Sequence, residues 1–443
     1  MNFFIVLLAK IATALLKPFG KGSSFPGEFA LKCNKNIMQY FKLPKTVIAV
    51  TGSSGKGSST AVIAQMFRDQ GYTVAHNASG ANLDAGIVTM LLSRSNLFGK
   101  VKDQVVVLEV DERYAKLIFP DIKPKLVAIT NLTRDQPPRQ GHFDLVYEEI
   151  KKALKPNMKL ILNADDPYLQ KFPLELKNET IYYGLEHMDG DYEENMFGNL
   201  NMNYCPVCGK HLSYHYYHIE GNGDYYCSGC EFKRPTPRYT VTGVDYEKLS
   251  IRMNDSDDLK IPYGMMFGIY NTALCYAVAS ECGLSRDGIV ATLAKEKANQ
   301  KIFYTFSHAG RKVTVLNNKN ENSSTFHQSL HYIHRDKGEK TVIIGWKEIS
   351  RRYNFDDLSW LYDIHFEILN DGTVDHFICT GIHAYDIATR LKLAGYDTEK
   401  ITALPDLAEA CEHLKKKTKG SIYAVLNFDY VEPFEQLMIA TEN

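Results

Sequence analysis

The sequence predicts an α/β protein whose parallel-rich sheets are covered by helices. Three observations carry this expectation. A β-branched, apolar run at residues 46–51 enters a glycine-rich turn, and "STAVIAQMFRDQGY" after it has helical periodicity and a glycine stop. Further strand patterns alternate with helices along the chain and resume in a second alternating region near residue 299. Between them, residues 186–236 lose the pattern and are dense in Tyr, His, Gly and Cys, which marks an insertion.

In order along the chain, "DQVVVLEVDE" and "PKLVAITNL" read as buried strands, "FDLVYEEIKKALK" as a helix and "MKLILNADDP" as another strand. After the insertion come strands and the helix "YNTALCYAVASECGL". In the last region "RKVTVLNN", "KTVIIGW", "DHFICTG" and "SIYAVLNF" are strands, while "AYDIATRLKLAG" and "DLAEACEHLKKK" are helices. A chain of 443 residues exceeds one compact core. The expected division is an N-terminal helical segment at 1–45, a central domain at 46–298 interrupted by the insertion at 186–236, and a smaller Rossmann-like α/β domain at 299–443.

The formal net charge of −1 gives no electrostatic reason to expect a nucleic-acid partner. Nine cysteines, four of them in C-x-x-C pairs, suit a reducing compartment with a metal site better than a disulfide framework, so a cytosolic protein is expected. The N-terminal "MNFFIVLLAKIATALLKPFG" is nearly all apolar over its first eight residues, but Lys10 and Lys17 interrupt it. It reads first as a helix packed on the body, with a helix touching a membrane surface and a signal as the lesser alternatives.

The stretch "VIAVTGSSGKGSSTAV", residues 47–62, carries the sharpest chemistry of the first region. Gly52 and Gly55 free the backbone so that N–H groups converge at a helix N-terminus, and Lys56 adds an ammonium, the parts a phosphate requires. Gly52, Ser53, Ser54, Gly55, Lys56, Gly57, Ser58 and Ser59 are therefore the nucleotide-binding candidates. Val50 stands where a standard loop has its first glycine, and Gly57 where it has a hydroxyl for Mg2+. Ser58, Ser59 and Thr60 lie in the same first helical turn, and Ser58 is the candidate ligand.

Cys205-x2-Cys208 and Cys227-x2-Cys230 flank eighteen residues, the layout of a zinc ribbon. Four thiolates close a tetrahedral shell, so the zinc is expected to be structural. Disulfides and an iron site are the weaker alternatives. The five other cysteines, including Cys33 and Cys275, are expected to be packing residues.

The loop T-G-S-S-G-K resembles the ATP loop of the Mur ligases, which also lack the first glycine, and its K-G-S resembles that of folylpolyglutamate synthases. "SGAN" at 79–82, "LEVDE" at 108–112, "ITNLTRDQ" at 129–136, "LNADDP" at 162–167 and "GIYN" at 268–271 continue the likeness in order. With the four-cysteine insertion and the C-terminal domain, nearly the whole chain resembles the MurT-type subunits of lipid II isoglutaminyl synthase, a branch of the Mur ligase family.

That resemblance implies a Mur-ligase-like central domain in which Glu109, with Ser58, holds Mg2+ at the γ-phosphate, and Asp111 and Glu112 lie beside it. It implies that Asn271 contacts adenine and that Asn131 and Asp135 line the space between ATP and substrate. In "DDLSWLYDIHFE", residues 356–367, it makes Asp357 the catalytic carboxylate, with Lys56 and Glu109 completing the catalytic set, while Trp360 and Phe366 read as core. It further implies ATP-dependent amidation of the D-glutamate α-carboxylate of the lipid II stem peptide. The ammonia would come from a GatD-type glutaminase partner in a heterodimer; the expected location is cytoplasmic, with contact at the inner face of the membrane left open.

The chain also departs from the pattern. Pro137 and Pro138 replace an apolar residue and an Asp, His365 replaces an acid, and the usual K-N-P-x-G reads "KNENSS", with Lys319 and Asn320 kept. An Arg that normally begins the last domain is lost near "QKI", residues 300–302. A nucleotide-binding paralogue with weakened catalysis therefore remains as one alternative, and the folylpolyglutamate-like K-G-S leaves a ligase adding an amino acid to a small carboxylate as another.

Overall fold

The structure, a computed structural model, describes residues 2–16, 24–77, 81–133, 143–197, 203–295, 302–317, 323–346 and 358–439. Two helices, α1 (Asn2–Leu16) and α2 (Phe25–Cys33), lead in, and α2 packs on α4 (Asp84–Arg94). No helix among the described residues is long and apolar enough to cross a membrane.

The first sheet has nine strands among the described residues. Its parallel centre comprises β1 (Thr46–Thr51), β2 (Val74–His76), β3 (Val105–Glu109), β4 (Leu126–Ile129), β5 (Lys159–Asn163) and β6 (Thr180–Leu185). These strands are rich in Val, Ile and Leu on both faces because helices cover both faces. One cover holds α3 (Lys56–Asp69) and the other holds α4, α5 (Ala115–Ile122) and α6 (Phe143–Ala153), giving two apolar clusters on opposite sides. The short α7 (Lys171–Leu176) precedes β6.

An insertion follows β6. It holds a hairpin of β7 (Leu212–Ile219) and β8 (Asn222–Cys227). Its own apolar cluster is small, Cys205, Leu212, Tyr225, Cys227 and Phe232. The first sheet then gains an edge: β9 (Tyr239–Asp245) runs parallel to β6, while β10 (Ser250–Met253) and β11 (Asp257–Lys260) are antiparallel. The short β10 and β11 alternate buried and more open side chains, as an edge with one wet face should. Helix α8 (Met266–Glu281) is buried almost all round and packs on α3, and α9 (Arg286–Lys295) follows it.

The second sheet has the order β12-β13-β17-β14-β15-β16 among the described residues. It comprises β12 (Phe303–His308), β13 (Arg311–Asn317), β14 (Lys340–Trp346), β15 (Val374–Gly381), β16 (Ile401–Ala403) and β17 (Ser421–Leu426). Only the edge strand β12 is antiparallel to its neighbour, so the sheet is mixed. Helices α10 (Ser323–Arg335), α11 (Ala384–Leu393), α12 (Leu407–Lys417) and α13 (Phe428–Ile439) surround it. Trp360 and Phe366 are buried against Phe326 of α10. Cys275, Cys379 and Cys411 are buried, but Cys33 is exposed at the last position of α2, which corrects its assignment to packing.

Candidate functional site

The loop between β1 and α3 is shaped by three glycines. Gly52 has φ +125°, and a Cβ there would lie 2.4 Å from Thr130 Oγ1 and 2.8 Å from the Asn131 carbonyl oxygen. Gly55 caps α3 with φ +85°, and its missing side chain leaves room for the Asn271 amide, 2.6 Å from where a Cβ would stand. Gly57 lets the Glu109 carboxylate come within 3.1 Å of the same kind of position. The helix begins at Lys56, three residues earlier than the periodic segment in the sequence indicates.

Asn131 fastens the loop from below. Its Oδ1 accepts the Ser54 N–H at 3.0 Å, its Nδ2 donates to the Ser54 carbonyl at 3.1 Å, and its own carbonyl accepts from Ser53 N at 2.9 Å. Ser53 Oγ accepts from Thr133 N at 3.0 Å.

Lys56 Nζ sits 2.9 Å from Glu112 Oε1 and donates to the Gly52 and Ser53 carbonyls. Burial pushes the Glu112 carboxyl up from its ordinary range, and the Lys56 charge offsets this only in part. Asp111 is also buried, which would raise it, but hydrogen bonds and charge from Arg113 overcome that and hold it low. The sequence singled out Lys56 but not its partner. Glu112 stood within "LEVDE", yet nothing in the spacing tells which of three acids reaches back to the lysine.

Glu109 ends β3 facing the helix start. Its Oε1 accepts from Asn82 Nδ2 at 3.0 Å, and Asn77 pins its backbone through bonds of 2.9 and 2.8 Å. Around the loop, the hydroxyls of Thr51, Ser54 and Ser59 are buried with no hydrogen-bond partner among the described residues, whereas Ser58 is exposed. A carboxylate at the helix start and unpartnered hydroxyl oxygens in the same loop region are the donor types that a hard cation such as Mg2+ takes. The free N–H groups at the start of α3 fit a phosphate.

Asn271 lies in α8 one turn from Phe267, whose N–H donates to Gln328 Oε1 of α10 at 2.8 Å. Arg335 of α10 donates to the Gly264 carbonyl at 3.2 Å and stacks on Tyr246. The second sheet's domain thus reaches the nucleotide-loop side of the first through α10. Asp357, Lys319, Asn320 and Asp135 lie outside the described residues, as do Pro137 and Pro138.

The four insertion cysteines converge, with all four Sγ atoms within 4.8 Å of one another. Sγ–Sγ distances of 3.5 Å (Cys205–Cys230) and 3.4 Å (Cys208–Cys227) are far beyond a disulfide bond of about 2.05 Å. They approach the about 3.8 Å edge of a zinc tetrahedron with Zn–S bonds of about 2.3 Å. Val207 N and Gly229 N donate to Cys205 Sγ and Cys227 Sγ, and the Gly229 bond is the main cause that brings the Cys227 thiol down to about 7. The set could hold a zinc ion with no open position.

Behind the insertion, Asp165 is wholly buried and satisfied: Arg234 Nε donates to it at 2.7 Å, Leu185 N at 2.9 Å and the Tyr270 hydroxyl at 3.0 Å. The insertion is thereby anchored to β6 and α8.

Comparison with known proteins agrees with this architecture. Residues 50–212 match the Mur ligase middle domain and residues 320–430 the MurT ligase C-terminal family. The chain is 30% identical to the MurT subunit of lipid II isoglutaminyl synthase (glutamine-hydrolyzing) from Staphylococcus aureus strain COL, covering 97% of this chain and 96% of that one. It is 27% identical to the corresponding subunit from Streptococcus pneumoniae, over 99% and 97% of the two chains. Among solved structures, a pseudomurein peptide ligase type C from Methanothermus fervidus superposes with a TM-score of 0.69 at 20% identity, covering 92% of this chain and 81% of that one. The MurF ligase from Thermotoga maritima in complex with ADP gives 0.60 at 18% identity, over 94% and 85%.

Proposed function

The chain belongs to the MurT family of Mur-type ATP-dependent ligases, and from that premise we propose that it amidates the D-glutamate α-carboxylate of the lipid II stem peptide. The acceptor carboxylate attacks the γ-phosphorus of ATP, giving an acyl phosphate and ADP. Ammonia then attacks the acyl carbon, the C–O bond to phosphate breaks, and the nitrogen sheds one proton as the amide forms.

In this reading the N–H groups at the start of α3 cradle the phosphates, and Lys56 turns from Glu112 to the transferring group. Glu109 and a loop hydroxyl, Ser58 as first candidate, hold Mg2+, which when bound neutralises charge on the phosphates. Asn271, beside Gly55, contacts adenine. Asp357 positions or deprotonates ammonia, and Lys319 contacts the nucleotide. Closure of the second domain onto the first excludes water from the acyl phosphate. The cysteine cluster holds zinc as a structural centre. A GatD-type glutaminase supplies the ammonia, since the chain has no cysteine in a nucleophile-elbow context.

The observation that most supports this reading is a glycine-shaped loop that ends in the Lys56–Glu112 ion pair and has the Glu109 carboxylate against Gly57. The test incubates the chain with Mg-ATP, lipid II and ammonium, and follows carboxylate-to-amide conversion by mass spectrometry beside ADP release. Amide and ADP in equal amounts are expected. ADP release that depends on a free amino acid rather than ammonium would favour an amino-acid ligase. No turnover even with the co-expressed glutaminase would favour the non-catalytic paralogue, which the altered C-terminal motifs suggest.

A further inference from the structure

Helix α1 is apolar on two opposite sides. Ile5, Val6 and Ala9 are buried in the first domain's core. Phe4, Leu8 and Ile11, spaced i, i+4, i+7, face outward and are 65%, 53% and 48% exposed. The patch continues onto the loop after α4, where Phe98 is 67% exposed and its ring lies 5.6 Å from Phe3, itself 5.6 Å from Phe4. Lys10, the charged residue of the helix, is turned inward, donating to the Ser95 carbonyl at 2.8 Å and to that of Leu92. The helix is thus fixed to the body with its second apolar face outward.

The charge of the N-terminal segment is one-sided, and Lys42 in it pairs with Lys100 beside Phe98. Residues 1–45 hold seven lysines against a single acid, Glu28, in a chain whose formal net charge is −1. Lys32, Lys35, Lys42, Lys45, Lys100 and Lys102 are exposed, and the last two follow Phe98 closely in sequence. Of the nearby acids, Asp103 is engaged by Arg94 and Asp121 accepts from Gln39.

We propose that this face is a docking surface for an anionic lipid bilayer. The helix, about 22 Å long at 1.5 Å per residue, is too short to span a bilayer and is bound to protein along one side, so it lies in the interface plane. Phe4, Leu8, Ile11 and Phe98 enter the headgroup–acyl boundary while the lysines meet anionic headgroups. A second copy of the chain is disfavoured as occupant, because a two-fold contact through the patch brings the same lysines toward one another. The inference stands on this surface alone. If the acceptor is lipid-linked, as proposed above, docking here seats the enzyme beside it.

The test is co-sedimentation of the full chain with vesicles of phosphatidylcholine, with and without phosphatidylglycerol. Binding is expected only with the anionic lipid and should fall as salt rises. Leu8→Glu, at an exposed position, and Phe98→Ser, on a different element, should each weaken it at least about tenfold. The lysine pair Lys100→Glu/Lys102→Glu should do the same. Absence of vesicle binding, or binding that all these variants retain, would overturn the proposal. So would a dimer that Leu8→Glu dissolves without affecting vesicle binding. The readout requires no turnover, so its failure and failure of the amidation reading are separate results.

Discussion

His327 Nδ1 lies 2.6 Å from Glu220 Oε1, and the same buried ring accepts the His365 backbone N–H on Nε2 at 2.9 Å. Because His365 N can only donate, Nε2 must accept, and Nδ1–H donates to the carboxylate. Glu220 sits at the β7–β8 turn of the insertion with φ +50°, and its other oxygen accepts from Ser324 at the start of α10 at 3.1 Å. One carboxylate therefore ties the insertion to the beginning of α10 and, through His327, to the segment after Asp357. Glu220→Ala leaves a buried imidazole N–H without its partner, at a cost of about 1–3 kcal/mol. Hydrogen exchange followed by mass spectrometry should accelerate at the start of α10 and over residues 365–369. Unchanged exchange in both places would mean that the contact carries no load.

Lys56 is predicted to be indispensable and Glu109 to set the metal requirement. Lys56→Ala should lower kcat at least about 100-fold, since a charge aimed at developing phosphoryl charge in a water-poor site is worth several kcal/mol. Glu109→Gln keeps the size and the Asn82 contact but removes the charge. Its apparent magnesium requirement should rise at least about tenfold while activity returns at high magnesium. Steady-state kinetics with magnesium titration separates the two. A Glu109→Gln enzyme with an unaltered magnesium curve would remove that carboxylate from the metal site.

The parallel centres of both sheets were legible because strands such as "VVVLE" and "TVIIGW" are apolar on both faces, which helices on two sides demand. Strands after the insertion were expected, but not that they form an antiparallel edge, because the four-residue "SIRM" and "DDLK" alternate over too few positions to fix their bounds or pairing. Within the site, local signals survived: glycine spacing located the loop, and paired C-x-x-C units located the thiolate cluster. Contacts between distant residues did not. Glu112 reaching Lys56 and Glu220 reaching His327 depend on tertiary placement that no short window contains. Cys33 was misjudged because composition tells that a cysteine tends to be buried and nothing about which helix face it occupies.

Acid should weaken the second domain's attachment through His331. This side chain of α10 is buried, with its ring edge-on to Tyr192 at 5.7 Å. Burial first, then the charges of Arg335, His334 and His218, pull its pKa from 6.5 to about 3. The unfolded chain takes up a proton below about 6.5 whereas the folded chain does not until about 3. The stabilisation is fully present above about pH 6.5 and is lost as pH falls toward about 3, with a slope of up to about 1.4 kcal/mol per pH unit. Urea midpoints measured across this window should fall on acidification. His331→Gln, which cannot titrate, should flatten the curve, and an identical slope in the variant would assign the effect elsewhere.

Removing metal from the cysteine cluster should be felt in α10, well outside the insertion. Besides its own cysteines the cluster rests on Leu212, Tyr225 and Phe232, a small apolar support for the hairpin end that carries it, and structural zinc in comparable small units is worth on the order of 10 kcal/mol. The same insertion carries Glu220, and its base is held by Arg234 on Asp165. A strong chelator, or Cys227→Ser, should release stoichiometric zinc and accelerate exchange over β7 and β8 while leaving the Arg234–Asp165 anchor and the parallel strands protected. With the β7–β8 turn loosened, Glu220 loses its position, so exchange at the start of α10 should rise as it does in Glu220→Ala. Combining Cys227→Ser with Glu220→Ala should then add nothing further there. Additive increases would show that the cluster and the carboxylate support α10 by separate routes.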